Sequence, residues 1–399
     1  MKASVIKTRS FKTTVITAVL AAAMTTTALS ANTCSRLVTD TEYGTLLIRS
    51  ADWVSSAPFD AQVSVFPEGR ARQMRGEVDG YANAFSNWTT KYHTISFEEH
   101  GAFSGLSGQT VNDQGLSAMA LSQGGSKPFI EQQRDNGAPA VNIVDVTTFI
   151  AENYATTAEV KDALDNGDFQ LAWAAPVAGI GHTADLHFSV VDKQGQILLI
   201  QLGESGVVNT YLDDSSSDLS VKTNDPLLPE QREYNAQYDL TNAKAASSLP
   251  WGITGKDRYA RLLAMSEQFD LGGLSYEQVA ARQEVAFDVS AVVPFGIQDP
   301  ATSEDFPTFF TMQFNLDNGD VAFRSMMTAS KITFNIEDTK EFKVPMHAKI
   351  QKQADNGATE VIWTEMSEAP SAAWEVTTSP GSTWRTTRSE PTSLNHRLA

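Results

Sequence analysis

An α+β fold, with helices packed on antiparallel sheets, is the class this sequence predicts, on two observations. β-prone runs are joined by tight turns into hairpins, and helical stretches come in pairs between them, an alternation in blocks that suits one layer of helices against each sheet. No spacing suggests repeated βαβ units or a nucleotide-binding fold, and no internal repeat is present.

In chain order, residues 45–48 and 92–97 are short β-prone runs. Residues 141–154 carry apolar side chains at roughly helical spacing, and Thr157-Ala158-Glu159-Val160 starts a second helix that should end near Asn166-Gly167. Residues 186–191 and 196–202 flank Asp192-Lys193-Gln194-Gly195 as a hairpin. Asp213-Asp214-Ser215-Ser216-Ser217-Asp218 reads as a polar loop. Residues 257–269 and 275–287 form the second helix pair, broken at Gly272-Gly273. Residues 309–315 and 321–326 flank Asp317-Asn318-Gly319-Asp320, where Asn-Gly is strong hairpin chemistry.

The ends read differently. Lys2, Lys7, Arg9 and Lys12 form a basic start without an acid, residues 15–24 are apolar, and Ala28-Leu29-Ser30-Ala31 offers small residues suited to cleavage. That is a secretory leader, too short in its apolar part for a comfortable membrane span. Residues 1–33 are therefore assigned to leader and short pro-segment, 34–378 to one catalytic domain, and 379–399, rich in Ser, Thr, Pro and Arg, to a mobile tail. The mature protein should be exported, to the periplasm or beyond.

With the four basic leader residues gone, 26 Lys and Arg face 48 Asp and Glu, a net charge of −22. Such a surface repels nucleic acid and anionic lipid, so neither is expected as a partner. An anionic substrate would have to be met by locally clustered arginines.

The single cysteine, Cys34, stands directly behind the leader. A lone thiol in an exported protein is inert, paired between molecules or chemically used. If processing leaves Cys34 first in the chain, its own α-amine lies beside its thiol and supplies base and nucleophile in one residue. Cleavage after Thr33 frees it in one step; cleavage after Ala31 requires a second cut, self-catalysed or not, to remove Asn32-Thr33. A lipid anchor on Cys34 is disfavoured, because Asn32-Thr33 stands where that signal places small residues.

Cys34-Ser35-Arg36 followed by Arg49-Ser50-Ala51-Asp52-Trp53 resembles the start of the choloylglycine hydrolase and penicillin V acylase family, whose members carry a catalytic N-terminal cysteine and an Arg-x-x-Asp pattern on the next strand. Val111-Asn112-Asp113-Gln114-Gly115-Leu116, Leu186-His187-Phe188, Thr223-Asn224-Asp225-Pro226 and Asp257-Arg258-Tyr259 continue the resemblance in family order, to about residue 338. It implies a four-layer αββα Ntn-hydrolase sandwich, two antiparallel sheets between helical layers, with no cofactor and no metal, and a homotetramer.

The resemblance also implies roles. Cys34 attacks a linear amide and its α-amine carries the proton to the leaving nitrogen; water then opens the thioester. Asp52 orients that amine, Arg49 and Arg258 place positive charge near sulfur, and Asn224 donates to the oxyanion. A second donor is expected near Ser122, where bile-salt hydrolases often have Asn and penicillin V acylases Tyr; a backbone N–H would serve instead. Trp53, with Trp88 and Trp251, is a candidate for an acyl pocket.

Plainer readings compete. In these, Cys34 is a leftover buried thiol, Arg49 with Asp52 an ordinary pair across a strand, Asn224 a turn residue and Arg258 a solvated one. His93, His100, His182 and His187 lack metal spacing, Glu98-Glu99-His100 looks like an exposed strand end, and the Asp213 loop lacks the Gly and terminal Glu of an EF-hand.

An exported chain with Trp53 after Asp52 is more similar to penicillin V and N-acyl homoserine lactone acylases than to conjugated bile salt hydrolases. The expected substrate is a small amide with an apolar acyl group. The alternative from another class is an inactive secreted binding protein on the same scaffold.

Overall fold

The computed structural model describes residues 34–366 except 76–77, 104, 176–183, 242–247 and 300–302. The expected leader, the tail at 379–399 and His182 lie outside the described residues.

Two antiparallel sheets form the centre. One has six strands, in spatial order Val221–Thr223, Ser35–Thr41, Gly44–Asp52, Thr308–Asn315, Asp320–Ser325 and Lys331–Asn335. The other has nine, in order Val208–Asp214, Gln196–Leu202, Leu186–Val191, Ser117–Ser122, Leu106–Asn112, Thr94–Glu99, Ala61–Phe66, Met346–Ala348 and Thr364–Glu365.

Side chains alternate between the faces of each strand, and the alternation separates three cores. Val38, Leu47, Met312 and Phe314 of the smaller sheet meet Val63, Phe97, Met119, Leu121 and Leu199 of the larger. Phe97 and Phe314 touch edge to face across the gap, with centroids 5.6 Å apart. The opposite face of the smaller sheet, with Leu37, Ile48 and Val221, packs on Tyr259 and Leu262 of helix Gly255–Ser266 and Phe287 of helix Tyr276–Ala291. The opposite face of the larger sheet, with Ala118, Phe188 and Ile200, packs on Phe149 and Val160 of helices Val146–Asn153 and Thr157–Asn166. The result is helix, sheet, sheet, helix, as the resemblance implied.

Local chemistry sets most boundaries where the sequence put them. Thr156 caps the helix Thr157–Asn166 by accepting from Glu159 N–H, and Gly167, at φ 74°, closes it in the left-handed region. Ser275 and Gln278 form a reciprocal capping box ahead of Tyr276–Ala291. Both predicted hairpins are present.

Three expectations need correction. Residues 141–154 are not one helix: Ala140–Asn142 pairs in parallel with Gln170–Ala172, and the helix begins at Val146. Glu98 and Glu99 are not at an exposed strand end. Both are buried, and the Glu99 carboxylate accepts from the N–H groups of Asp60, Gly101, Ala102 and Phe103, which compensates its burial. The polar loop is also shorter than expected, because Val208–Asp214 runs as a strand into its first two residues.

Candidate active site

The strand Ser35–Thr41 lies between Val221–Thr223 and Gly44–Asp52. Its register pairs Ser35 with Thr223 and Arg36 with Lys222, so one step further sets Cys34 opposite Asn224. The same step on the other side sets Cys34 beside Ala51, since Arg36 pairs with Arg49. Cys34 packs against the core between the sheets, and its Sγ lies 3.8 Å from the Asp52 carbonyl oxygen.

Ser35 faces the other way, toward the helices. Its N–H donates to Ser50 Oγ at 3.0 Å, and Arg258 Nη1 donates to its Oγ at 2.8 Å. The same Nη1 reaches Asp52 Oδ2 at 2.9 Å and the Ala291 carbonyl at 3.1 Å. Arg258 is fully buried rather than solvated, and it, not Arg49, is the ion-pair partner of Asp52. Burial pushes the Asp52 carboxyl above the usual carboxylate range against the pull of Arg258. Its Oδ1 makes no hydrogen bond of ordinary geometry, although the Ser50 and Thr308 hydroxyls flank the group.

Arg49 sits on the inward face with Cys34. Its Nη1 spans the gap to the Gly108 carbonyl of the facing sheet at 2.7 Å, and its Nε holds the Ser50 carbonyl at 3.2 Å. Burial pushes the Cys34 thiol above its ordinary value; Arg49 opposes this most, Asp52 adds to it, and Arg258 opposes it less. Asn224 is buried with neither Oδ1 nor Nδ2 hydrogen-bonded. A turn residue would be expected to spend its side chain on the turn; this one does not.

The helix carrying Arg258 approaches the Asn224 loop because it begins with glycine. A Cβ on Gly255 would stand 2.6 Å from the Asp225 carbonyl oxygen. Thr254 caps that helix by accepting from Asp257 N–H, which fixes Arg258 one turn in.

Cys34, Arg49, Asp52, Asn224 and Arg258 thus meet at one end of the smaller sheet. Trp53 borders the same core, edge-on to Phe103 with centroids 4.4 Å apart. Trp88 is a core residue donating to Glu152, and Trp251 is half exposed over Arg261. Ser122 pairs with Leu186, whose side chain belongs to the outer, helix-covered core, so its alternation points away from Cys34. Gln123, the next residue, is fully buried, reaches the Pro226 carbonyl at 3.5 Å and leaves Oε1 unpartnered. The sequence gives no sign of this residue; the strand register alone separates it from Ser122. Among the described residues no group of three His, Cys, Asp or Glu side chains is arranged to hold a metal ion, and no helix is long and apolar enough to cross a membrane.

A thiol, a facing side-chain amide and a buried carboxylate–guanidinium pair at one sheet end define a class: an Ntn-type amidohydrolase on an αββα scaffold. Residues 34–260 match the family model of linear amide C–N hydrolases, choloylglycine hydrolase family, and the chain belongs to that family. Among proteins of curated function none matches significantly. Among solved structures, the chain is similar to penicillin V acylase from Agrobacterium tumefaciens, at 19% identity and a TM-score of 0.67 over 84% of this chain and 98% of that one. It is also similar to a variant of the conjugated bile acid hydrolase from Clostridium perfringens, at 14% identity and a TM-score of 0.62 over 84% of this chain and 97% of that one. At such identities these likenesses establish the fold.

Proposed function

We propose that Cys34, freed as the first residue by export and processing, is the nucleophile of an acylase that cleaves small amides with an apolar acyl group, of the penicillin V or N-acyl homoserine lactone kind. The observation that carries this reading is a strand register that sets Asn224 opposite Cys34 with its buried amide unpartnered.

In the proposed reaction the α-amine of Cys34 takes the thiol proton, and sulfur attacks the carbonyl carbon. Free thiols titrate near 8.5 and α-amines near 7.7–8.0, so the transfer is close to balanced at neutral pH. Asn224 Nδ2 donates to the oxyanion, with the Gln123 segment as second donor in place of Ser122. The amine then protonates the leaving nitrogen, and water, delivered by the same amine, hydrolyses the thioester. Asp52 Oδ1, unpartnered and buried, is the acceptor proposed to orient the ammonium. Arg258 fixes Asp52 and Ser35, while Arg49 is the cation that most favours thiolate. Trp53 borders the acyl side. Export, removal of residues 1–33 and assembly as a homotetramer belong to the same reading.

The test is a substrate panel on the purified mature protein, with Cys34→Ala alongside. Release of phenoxyacetate from penicillin V or of acyl chains from homoserine lactones, abolished by Cys34→Ala, is the expected result. Rapid turnover of glycine- or taurine-conjugated bile salts alone would make it a bile salt hydrolase. No turnover by a chain that begins at Cys34 would favour the binding protein.

A further inference from the structure

Two residues inward from Cys34, Arg36 and Lys222 stand directly opposite each other on adjacent strands. Each is only 1% exposed. Like charges so placed repel, and burial away from a counter-charge is costly. Arg36 Nη2 donates to the Leu219 carbonyl at 2.7 Å, but its Nε and Nη1 have no partner. Lys222 Nζ donates only to the Pro226 carbonyl, at 3.2 Å, and among the described residues no carboxylate forms an ion pair with either.

The facing sheet brings more donors. His187 and Ser189 lie on the inward face of Leu186–Val191, opposite Leu121 and Met119 respectively. Continuing the Phe188–Ile200 register sets Gln201 beside His187. Both His187 nitrogens, Ser189 Oγ and Gln201 Nε2 are buried without partners, while Gln201 Oε1 is taken by Leu228 N–H at 3.0 Å. Lys222 and Gln201 reach one short segment, at the Pro226 carbonyl and the Leu228 N–H, and the fields of Lys222 and Arg36 both act on His187, which burial keeps neutral. The nearby acids are engaged elsewhere or exposed: Asp218 pairs with Arg232 at 2.7 Å, Asp225 accepts from Gly124 and Gly125 N–H, and Glu230 lies on the surface. Tyr259, close to Arg36, donates to the Asp218 carbonyl.

We propose that Arg36, Lys222, His187 and Gln201 form a buried site for a small inorganic monoanion of the size and charge of chloride, between the sheets and behind the Cys34–Asn224 pair. Arg36 and Lys222 bring positive charge and spare donors, Gln201 Nε2 a further donor and the neutral His187 ring one N–H, a set complementary to a small anion. Burial brings Lys222 down to about 7 when no anion neutralises it, with Arg36 adding to the shift and Asp225, Asp218 and Glu230 opposing it. The folded value lies below the ordinary 10.5, so between the two the unfolded chain holds the extra proton and the anion-free protein gains stability as pH rises. The anion binds the protonated form, so its effect is largest below about pH 7 and fades above it.

The experiment compares thermal unfolding of the mature protein in sodium chloride and in sodium gluconate at equal ionic strength, below and above neutral pH. A saturable rise in Tm specific to chloride, larger on the acid side, is expected; equal Tm in both salts overturns the site. Gln201→Glu, which would supply an internal carboxylate, should remove the chloride response while keeping a Tm no lower than the parent in gluconate. A persistent response in that variant contradicts the assignment. Should the variant not fold, crystals of the unaltered protein soaked in bromide decide alone: anomalous density among Arg36, Lys222 and His187 supports the site, and its absence there overturns it.

Discussion

Asp52 and Arg258 form an ion pair from which water is excluded, Nη1 to Oδ2 at 2.9 Å, with both side chains at 1% exposure or less. The pair links the second strand of the smaller sheet to the helix packed beneath it, and through Ser35 it reaches the residue after the thiol. Breaking one partner of such a pair strands the other charge, which typically costs about 3–5 kcal/mol. Arg258→Met should therefore lower the unfolding free energy by about that amount in urea titration. A loss under about 1 kcal/mol, as for an exposed pair, would mean that the two groups do not depend on each other.

Asn224→Ala separates an oxyanion donor from a turn residue. With neither amide atom bonded in the fold, its removal should leave stability within about 1 kcal/mol. Turnover should fall about 10²–10³-fold, with kcat taking the loss. Lost stability with unchanged kcat would return Asn224 to the turn.

Gly255→Ala tests the approach of the Arg258 helix. The added methyl meets the Asp225 carbonyl at 2.6 Å, a distance at which backbone must shift. Since that carbonyl belongs to the residue after Asn224, kcat should drop while substrates of different acyl length keep their rank order. Unaltered kinetics would show that the loop yields freely.

Thiol reactivity tests the electrostatics. Burial holds the Cys34 thiol above its ordinary value, so the unprocessed chain should alkylate slowly at neutral pH, with a rate still rising above about pH 9. Arg49 is the strongest opposing influence. Arg49→Met should therefore slow alkylation at a fixed neutral pH, since the cation that most favours the thiolate is gone. Equal rates in the two proteins would remove Arg49 from the account.

The parts of this molecule that were legible beforehand are those whose cause is local. Gly167, the Ser275–Gln278 box and the Asn318-Gly319 turn carry their geometry in two to four residues, and the structure follows them. The four residues gathered around Cys34 were legible through spaced motifs in family order. What escaped depends on register and layering. Ser122 reads as the second donor until the pairing with Leu186 assigns it to the outer core. The motif places Arg258 near the thiol, but its pairing with Asp52 shows only once helix Gly255–Ser266 is seen beneath the smaller sheet. Arg36, Lys222 and His187 are far apart in sequence, and no local pattern announces that two sheets press them together.

The most direct test is an intact mass spectrum, with N-terminal sequencing, of exported protein quenched during turnover of penicillin V or an acyl homoserine lactone. The account predicts a chain that begins at Cys34 and carries one acyl group as a thioester on that residue. A fully active chain whose Cys34 nitrogen is still joined to Thr33 would contradict it.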